Sequence, residues 1–214
     1  MFITFEGIEG SGKSTQITRL SHWLYTEFDL DPVVTREPGG CEIADKIRSI
    51  LLDTASSAMN EQAELLLYAA ARAQHVAQII QPALEQGRIV LCDRFSDATL
   101  AYQGFGRGLA LPLIAQINSL ATLGIVPDLT LLLDFDPEIG LTRARERNAI
   151  TTGPDENRFE QENLDFHRRI RDGYLFLAAA EDRFCVIDAN GDTETVEARI
   201  QTIVAEKLQY GQAL

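Results

Sequence analysis

Phe2-Ile3-Thr4-Phe5-Glu6, running directly into Gly7-Ile8-Glu9-Gly10-Ser11-Gly12-Lys13-Ser14, decides how this chain folds. The first five residues read as a short β run. The next eight satisfy G-x-x-x-x-G-K-[ST], and a helical pattern from about Lys13 to Phe28 follows them. Strand, glycine-rich turn and helix in that order build a phosphate cradle. The glycines let backbone N–H groups turn inward, and the helix N-terminus adds its positive end. Lys13 is placed to reach β- and γ-phosphates, and the Ser14 hydroxyl to ligate Mg2+. Gly7, Ile8, Glu9, Gly10, Ser11, Gly12, Lys13, Ser14 and Thr15 are therefore the candidate nucleotide-binding set. The bland alternative is a glycine turn that only caps a helix, and the complete motif between strand and helix outweighs it.

Working outward, further β runs recur with helical patterns between them. Pro32 to Thr35 is the second, ended by Arg36-Glu37-Pro38-Gly39-Gly40, where proline and paired glycines force a turn. Ile43, Ile47, Ile50 and Leu51 recur at three- and four-residue steps, as on an amphipathic helix. Glu61 to Glu85 reads as one long helix closed by Gly87. Arg88 to Cys92, Leu129 to Leu133 and Phe184 to Ile187 supply three more strands, nearly all apolar, as in a parallel sheet covered on both faces. Thr193 to Leu208 is a closing helix. This alternation predicts a single domain over 1–214 with a three-layer α/β/α P-loop NTPase fold and a mainly parallel five-stranded sheet. Ligands in such sheets lie beyond the carboxyl ends of the strands. The least regular stretch, Asn148 to Asn157, reads as a mobile loop between two helices.

The 214 residues carry 19 Lys+Arg against 32 Asp+Glu, a net charge of −13. That balance argues against a nucleic-acid or anionic-membrane binder, since both surfaces repel such a protein. Only Lys13, Lys46 and Lys207 are lysines; the other basic residues are arginines, which suit phosphate forks. No apolar run approaches the roughly 18 residues that cross a bilayer, and Met1 to Glu6 has no basic leader ahead of its apolar stretch. Cys41, Cys92 and Cys185 match neither a disulfide framework nor a zinc site, so a reducing cytoplasm is the expected setting. His22, His75 and His167 form no catalytic cluster and read as surface or helix-face residues.

The third strand delivers Cys92-Asp93-Arg94-Phe95, then Ala98-Thr99-Leu100-Ala101-Tyr102-Gln103-Gly104. Upstream lie Thr35-Arg36-Glu37-Pro38-Gly39-Gly40 and Leu67-Tyr68-Ala69-Ala70-Ala71-Arg72-Ala73-Gln74. Together with the P-loop, in this order, these resemble the thymidylate kinase family of the bacterial type from Phe2 to the C-terminal helix. The resemblance implies ATP and dTMP as substrates, ADP and dTDP as products, Mg2+ as the metal and a homodimer. By resemblance Arg94, Arg48 and Arg36 meet the dTMP phosphate, and Asp93 joins Ser14 at the metal. Tyr68 stacks on the thymine, Arg72 bonds a base carbonyl, and Thr99 and Gln103 read the thymine edge. Tyr102 falls near the sugar, and Glu9 contacts its 3′-hydroxyl or orients an arginine. Ala98 replaces a serine common in the family and removes one hydroxyl contact. Plain alternatives remain: a helix N-cap for Asp93, core packing for Tyr68 and a solvated cation for Arg48. Tyr68 and Arg72, four residues apart, do share one helix face.

Seven arginines crowd 143–171: Arg143, Arg145, Arg147, Arg158, Arg168, Arg169 and Arg171. This resembles the family's helical lid, about 143–160, in the subtype whose P-loop lacks arginine. Arg143, Arg147 and Arg158 are the candidates for stabilising charge in the transition state. An exposed, salt-bridged helix is the alternative, because glutamates are interleaved. The expected reaction is in-line γ-phosphoryl transfer without a general base. Rival functions are another nucleoside or deoxynucleoside (mono)phosphate kinase and a non-catalytic ATP-binding regulatory protein.

Overall fold

The structure is a computed structural model that describes residues 1–150 and 157–211. Its elements run β1 (Phe2–Glu6), α1 (Lys13–Phe28), β2 (Val33–Arg36), α2 (Glu42–Leu52) and α3 (Glu61–His75). There follow α4 (Gln81–Glu85), β3 (Val90–Asp93), α5 (Ser96–Thr99), α6 (Leu111–Thr122), β4 (Leu129–Asp134) and α7 (Pro137–Ile150). The last are α8 (Leu164–Ala180), β5 (Phe184–Asp188) and α9 (Thr193–Gly211). The five strands form one sheet in the order β2-β3-β1-β4-β5, and every pairing is parallel. The three-layer α/β prediction stands.

Strand alternation sorts the core onto two faces. Ile3, Phe5, Leu91 and Leu131 pack with Ile17 and Leu20 of α1 and with Val196 and Ile200 of α9. Phe2, Val90 and Cys92 turn the other way, onto Val76, Ile80 and Ala83. β1, β3 and β4 are covered on both faces, while β2 lies at the edge and leaves Val34 half-exposed. The register sets Phe5 beside Asp93 and Asp93 beside Arg36. The ends of β1, β2 and β3 therefore deliver the P-loop, the arginine turn and the acidic residue to one edge.

The long helix expected from Glu61 to Glu85 is interrupted. A π turn spans Val76–Ile80, and the Gln81 N–H reaches back to the Val76 carbonyl. Pro82, which has no N–H and crowds the carbonyl four residues earlier, gives the physical reason for the wider turn. The Asn148 to Asn157 stretch falls mostly outside the described residues, and α7 runs through its first three positions. No helix is long and apolar enough to cross a membrane among the described residues.

Candidate active site

Beyond the β1 and β3 ends lies a cleft of about 640 Å3. Its phosphate end is the P-loop. Gly12, the residue that precedes α1, is in left-handed conformation with φ 93° and supplies no side-chain cap, so the helix's first N–H groups remain available for an anion. Gly10 also has positive φ, 71°, and a Cβ there would fall 2.1 Å from the Gly140 carbonyl oxygen. Gly140 in turn leaves space for the Glu9 carbonyl, which a Cβ would meet at 2.5 Å. The loop is thus pressed backbone to backbone against the first turn of α7. Lys13 is buried and donates to the carbonyls of Gly7 (3.0 Å) and Ile8 (2.8 Å). Burial, with Arg94 nearby, pulls its ammonium down to about 8. The carboxylates of Asp93, Glu9 and Glu6 oppose that shift without cancelling it.

Ser14 Oγ donates to Asp93 Oδ2 at 2.7 Å across the cleft floor. Asp93 is therefore bound to the P-loop rather than capping α5, whose N-cap is Phe95. No cluster of three or more His, Cys, Asp or Glu side chains suited to a metal occurs among the described residues. One carboxylate and one hydroxyl fit Mg2+, a hard ion whose remaining positions water and phosphate oxygens fill.

Arg94 follows Asp93 in left-handed backbone, φ 68°, a conformation costing about 1 kcal/mol for a residue with Cβ. The guanidinium lies 4.8 Å from the Tyr102 ring centroid. It donates to Glu9 Oε1 at 3.2 Å and to the Tyr174 hydroxyl at 3.2 Å. Glu9 also accepts from the Tyr102 hydroxyl, and its other oxygen lies 3.2 Å from His167 Nδ1. Burial alone would raise the Glu9 carboxyl, but His167, Arg94 and Tyr102 outweigh it and hold the group well below the usual carboxylate range. Behind them Glu6 accepts from the Phe95 N–H and the Tyr174 hydroxyl, both at 2.7 Å. Burial, then the like charge of Asp97, pushes Glu6 up to about 8.

The other end of the cleft is lined by Tyr68, Arg72, Thr99 and Gln103, with Arg36 and Arg48 along one side. Thr99 and Gln103 are almost wholly buried, and Thr99 Oγ1 and Gln103 Oε1 have no hydrogen-bond partner among the described residues. Unsatisfied polar atoms in a pocket wall mark places a ligand fills. Arg36 reaches Asp45 at 3.2 Å and Arg48 donates to the Pro38 carbonyl at 3.0 Å.

Three arginines were candidates for the lid, and they separate. Arg147 lines the cleft. Arg143 lies over the Phe135 ring, 4.4 Å from its centroid, and is not among the cleft's lining residues. Arg158 is buried: its Nε donates to the Leu51 carbonyl at 2.6 Å and it pairs with Glu64 at 2.7 Å. Arg168 pairs with Asp165, and Arg171 grips Asp134 through two nitrogens, as the salt-bridged alternative foresaw for part of the group.

The histidines correct the sequence reading. His22 is exposed, but His75 and His167 are fully buried, each facing a glutamate. Glu37, Glu64, Arg107 and Asn118 were also missed as parts of the pocket's support. The only local signal was that Glu64 and Arg72 bound the apolar run from Leu65 to Ala71 on α3.

A sequence model of the thymidylate kinase family matches residues 5–200. The chain belongs to the thymidylate kinase family. A thymidylate kinase of Syntrophotalea carbinolica is 58% identical over 200 residues, covering 93% of this chain and 92% of that one. One of Trichlorobacter lovleyi is 57% identical over 209 residues, covering 97% and 98%. The crystal structure of thymidylate kinase from Ehrlichia chaffeensis superposes with a TM-score of 0.77 at 33% identity, covering 95% of this chain and 98% of that one. Like its thymidylate kinase relatives, the protein is a phosphotransferase, and dTMP is its acceptor.

Proposed function

We propose that MgATP occupies the P-loop with its γ-phosphate at Lys13, and that dTMP lies across the cleft from Arg94 to Gln103. One observation carries this arrangement. A phosphate cradle with Ser14 and Asp93 closes one end of the cleft, and buried Thr99 and Gln103 atoms without partners among the described residues close the other. Arg36, Arg48 and Arg94 border the space between, where the acceptor phosphate would sit. Tyr68 offers a stacking face, and Tyr102, tied to Glu9, stands at the sugar. The acceptor's second pKa is near 6, as for other phosphomonoesters, so its oxygen is already anionic at neutral pH and no general base is required. Positioning and charge neutralisation carry the catalysis. Ser14 and Asp93 would hold Mg2+, which would supply positive charge to neutralise the phosphate oxygens of the donor. Arg147 is the lid arginine at the cleft and is assigned to the transferring group.

An acceptor panel tests the reading. With ATP and Mg2+, dTMP should exceed UMP, CMP, AMP and GMP in kcat/KM, and a faster rate with any of those four overturns it. Two substitutions test the metal and the lid together. Asp93→Asn should raise the Mg2+ concentration for half-maximal rate about tenfold or more, in line with loss of a charged ligand. Arg147→Ala should lower kcat far more than it raises the KM for dTMP. An unaltered Mg2+ requirement removes Asp93 from the metal, and an unaltered kcat removes Arg147 from the transition state.

The proposal extends to one kinase domain over the whole chain, with the lid in 143–160, acting as a homodimer in the cytoplasm. Exposed Leu66 on α3 and Leu113 and Leu120 on α6, two helices packed on each other, favour a self-association surface; sedimentation at micromolar concentration reads it directly. Cys41, Cys92 and Cys185 are free thiols, which suits a reducing compartment.

A further inference from the structure

Behind the base end of the cleft runs a chain of buried side chains that phosphoryl transfer itself does not use. Arg72 is 2% exposed. Its Nε donates to Glu37 Oε2 at 2.7 Å, one terminal nitrogen to Asn118 Oδ1 at 2.8 Å, and the other to the Phe95 carbonyl at 3.0 Å. A guanidinium has five N–H groups, so two remain, and Arg72 lines the cleft. The second oxygen of Glu37 accepts from His75 Nδ1 at 3.0 Å, and His75 Nε2 lies 2.6 Å from Thr35 Oγ1. Gly40 closes the chain. A Cβ there would fall 2.5 Å from Thr35 Oγ1 and 2.6 Å from His75 Nε2.

We propose that Glu37, held from behind by His75, is the positioning residue that fixes the Arg72 guanidinium for a pyrimidine carbonyl, and is thereby a determinant of base selection. The inference rests on the reading of Arg72 as the group that meets the base. Both Glu37 oxygens are committed, one to each partner, so the carboxylate cannot rotate. Arg72 cannot swing towards a different base edge without stranding Glu37 and Asn118 in a buried site. A donor locked in place donates to the carbonyl of thymine and opposes the amino group at the same position of cytosine. A loose arginine would tolerate both.

The experiment compares kcat/KM for dTMP and dCMP in the full-length enzyme and in Glu37→Gln, His75→Phe, Arg72→Lys and the Glu37→Gln/Arg72→Lys double variant, with folding followed by thermal melting. Glu37→Gln should lower the dTMP/dCMP ratio roughly tenfold, the scale of one misplaced buried hydrogen bond. The loss should appear in the KM for dTMP more than in kcat. His75→Phe should move the ratio the same way by less, and serves alone if Glu37→Gln does not fold. In the Arg72→Lys background Glu37→Gln should change the ratio no further. If Arg72→Lys lowers the ratio while neither Glu37→Gln nor His75→Phe does, the inference falls and the base reading stands. An equal loss for both nucleotides, or additive losses in the double variant, also overturns it. If Arg72→Lys leaves the ratio unchanged, Arg72 does not read the base, and both fall.

Discussion

Lys13→Met should cut kcat by roughly 100- to 1,000-fold or more, the usual loss when one preorganised donor to a developing charge is removed, while the protein keeps its fold. The ammonium is the only P-loop side chain that carries positive charge to the transferring group. Methionine fills the same volume without it. In the nucleotide-free protein the Lys13 ammonium is buried against two carbonyls, and its value of about 8 lies below that of a lysine in water. A lysine depressed in the folded state binds fewer protons there than in the unfolded chain, where it holds its proton to about pH 10.4. Its burial is therefore a full cost to stability below about pH 8, and the cost fades as pH rises from there to the unfolded value. Lys13→Met removes the cost and the two hydrogen bonds together, so at pH 7 it should melt within a few degrees of the parent. The parent's affinity for ATP should weaken above about pH 8 as the ammonium discharges. Retained turnover, or collapse of the fold, would each remove Lys13 from the role assigned to it.

Glu64→Ala should give the largest loss of stability. Glu64 is 1% exposed, accepts from Gln103 at 2.9 Å and from two Arg107 nitrogens at 3.2 Å, and pairs with Arg158 at 2.7 Å. Removing it strands the buried Arg158 guanidinium and leaves Arg107 with Glu162 alone, for about 3–5 kcal/mol. At about 2–4 °C per kcal/mol for a chain of this size, the melting temperature should fall by roughly 6–20 °C. Burial alone would raise the Glu64 carboxyl, but the Arg107 and Gln103 hydrogen bonds outweigh it and hold the group below its ordinary value. Its stabilisation is therefore complete above the ordinary carboxylate range and is lost as pH falls through the lowered folded value. The melting-temperature gap between parent and variant should narrow in acid. Glu42→Ala is the control: the Glu42–Lys46 pair is open to solvent on both sides, and its loss should cost about 0.5 kcal/mol or less. Equal melting shifts for the two variants would contradict the account of Glu64.

The contrast between those two glutamates also marks what could be read in the sequence. Glu42 and Lys46 are four apart on one helix, and so are Tyr68 and Arg72, so their neighbourhood follows from helical period alone. The P-loop, the parallel strands and the end of β3 at Asp93 were legible for the same reason: each is a local pattern with a fixed geometry. His75 and His167 were not. The partner of His75 lies 38 residues away and that of His167 lies in the P-loop itself, and either side chain, seen alone, is as well suited to water as to a carboxylate. Arg158 carries the same ambiguity, since an arginine after an irregular stretch can face phosphate or turn inward to a buried acid, and here it meets Glu64. The sequence holds both choices until Glu64 and Arg107 are brought beside it by the packing of α3 against a second π-helical segment, Leu100–Gly106, which precedes α6. The break at Val76–Ile80 followed from Pro82, a signal present in the sequence but outweighed there by an uninterrupted apolar period.

Anyone diversifying this chain in the laboratory inherits a constraint from the contact between Gly10 and Gly140. Each leaves room for the other's backbone or for its neighbour's, so neither position tolerates a side chain even when the other is left alone. Because the second of them lies in the first turn of the helix that carries Arg147, the phosphate loop and that arginine share a common origin of measurement. Loops can be lengthened and surface charges exchanged, but those two positions must be held at hydrogen for the donor and the lid to stay in alignment.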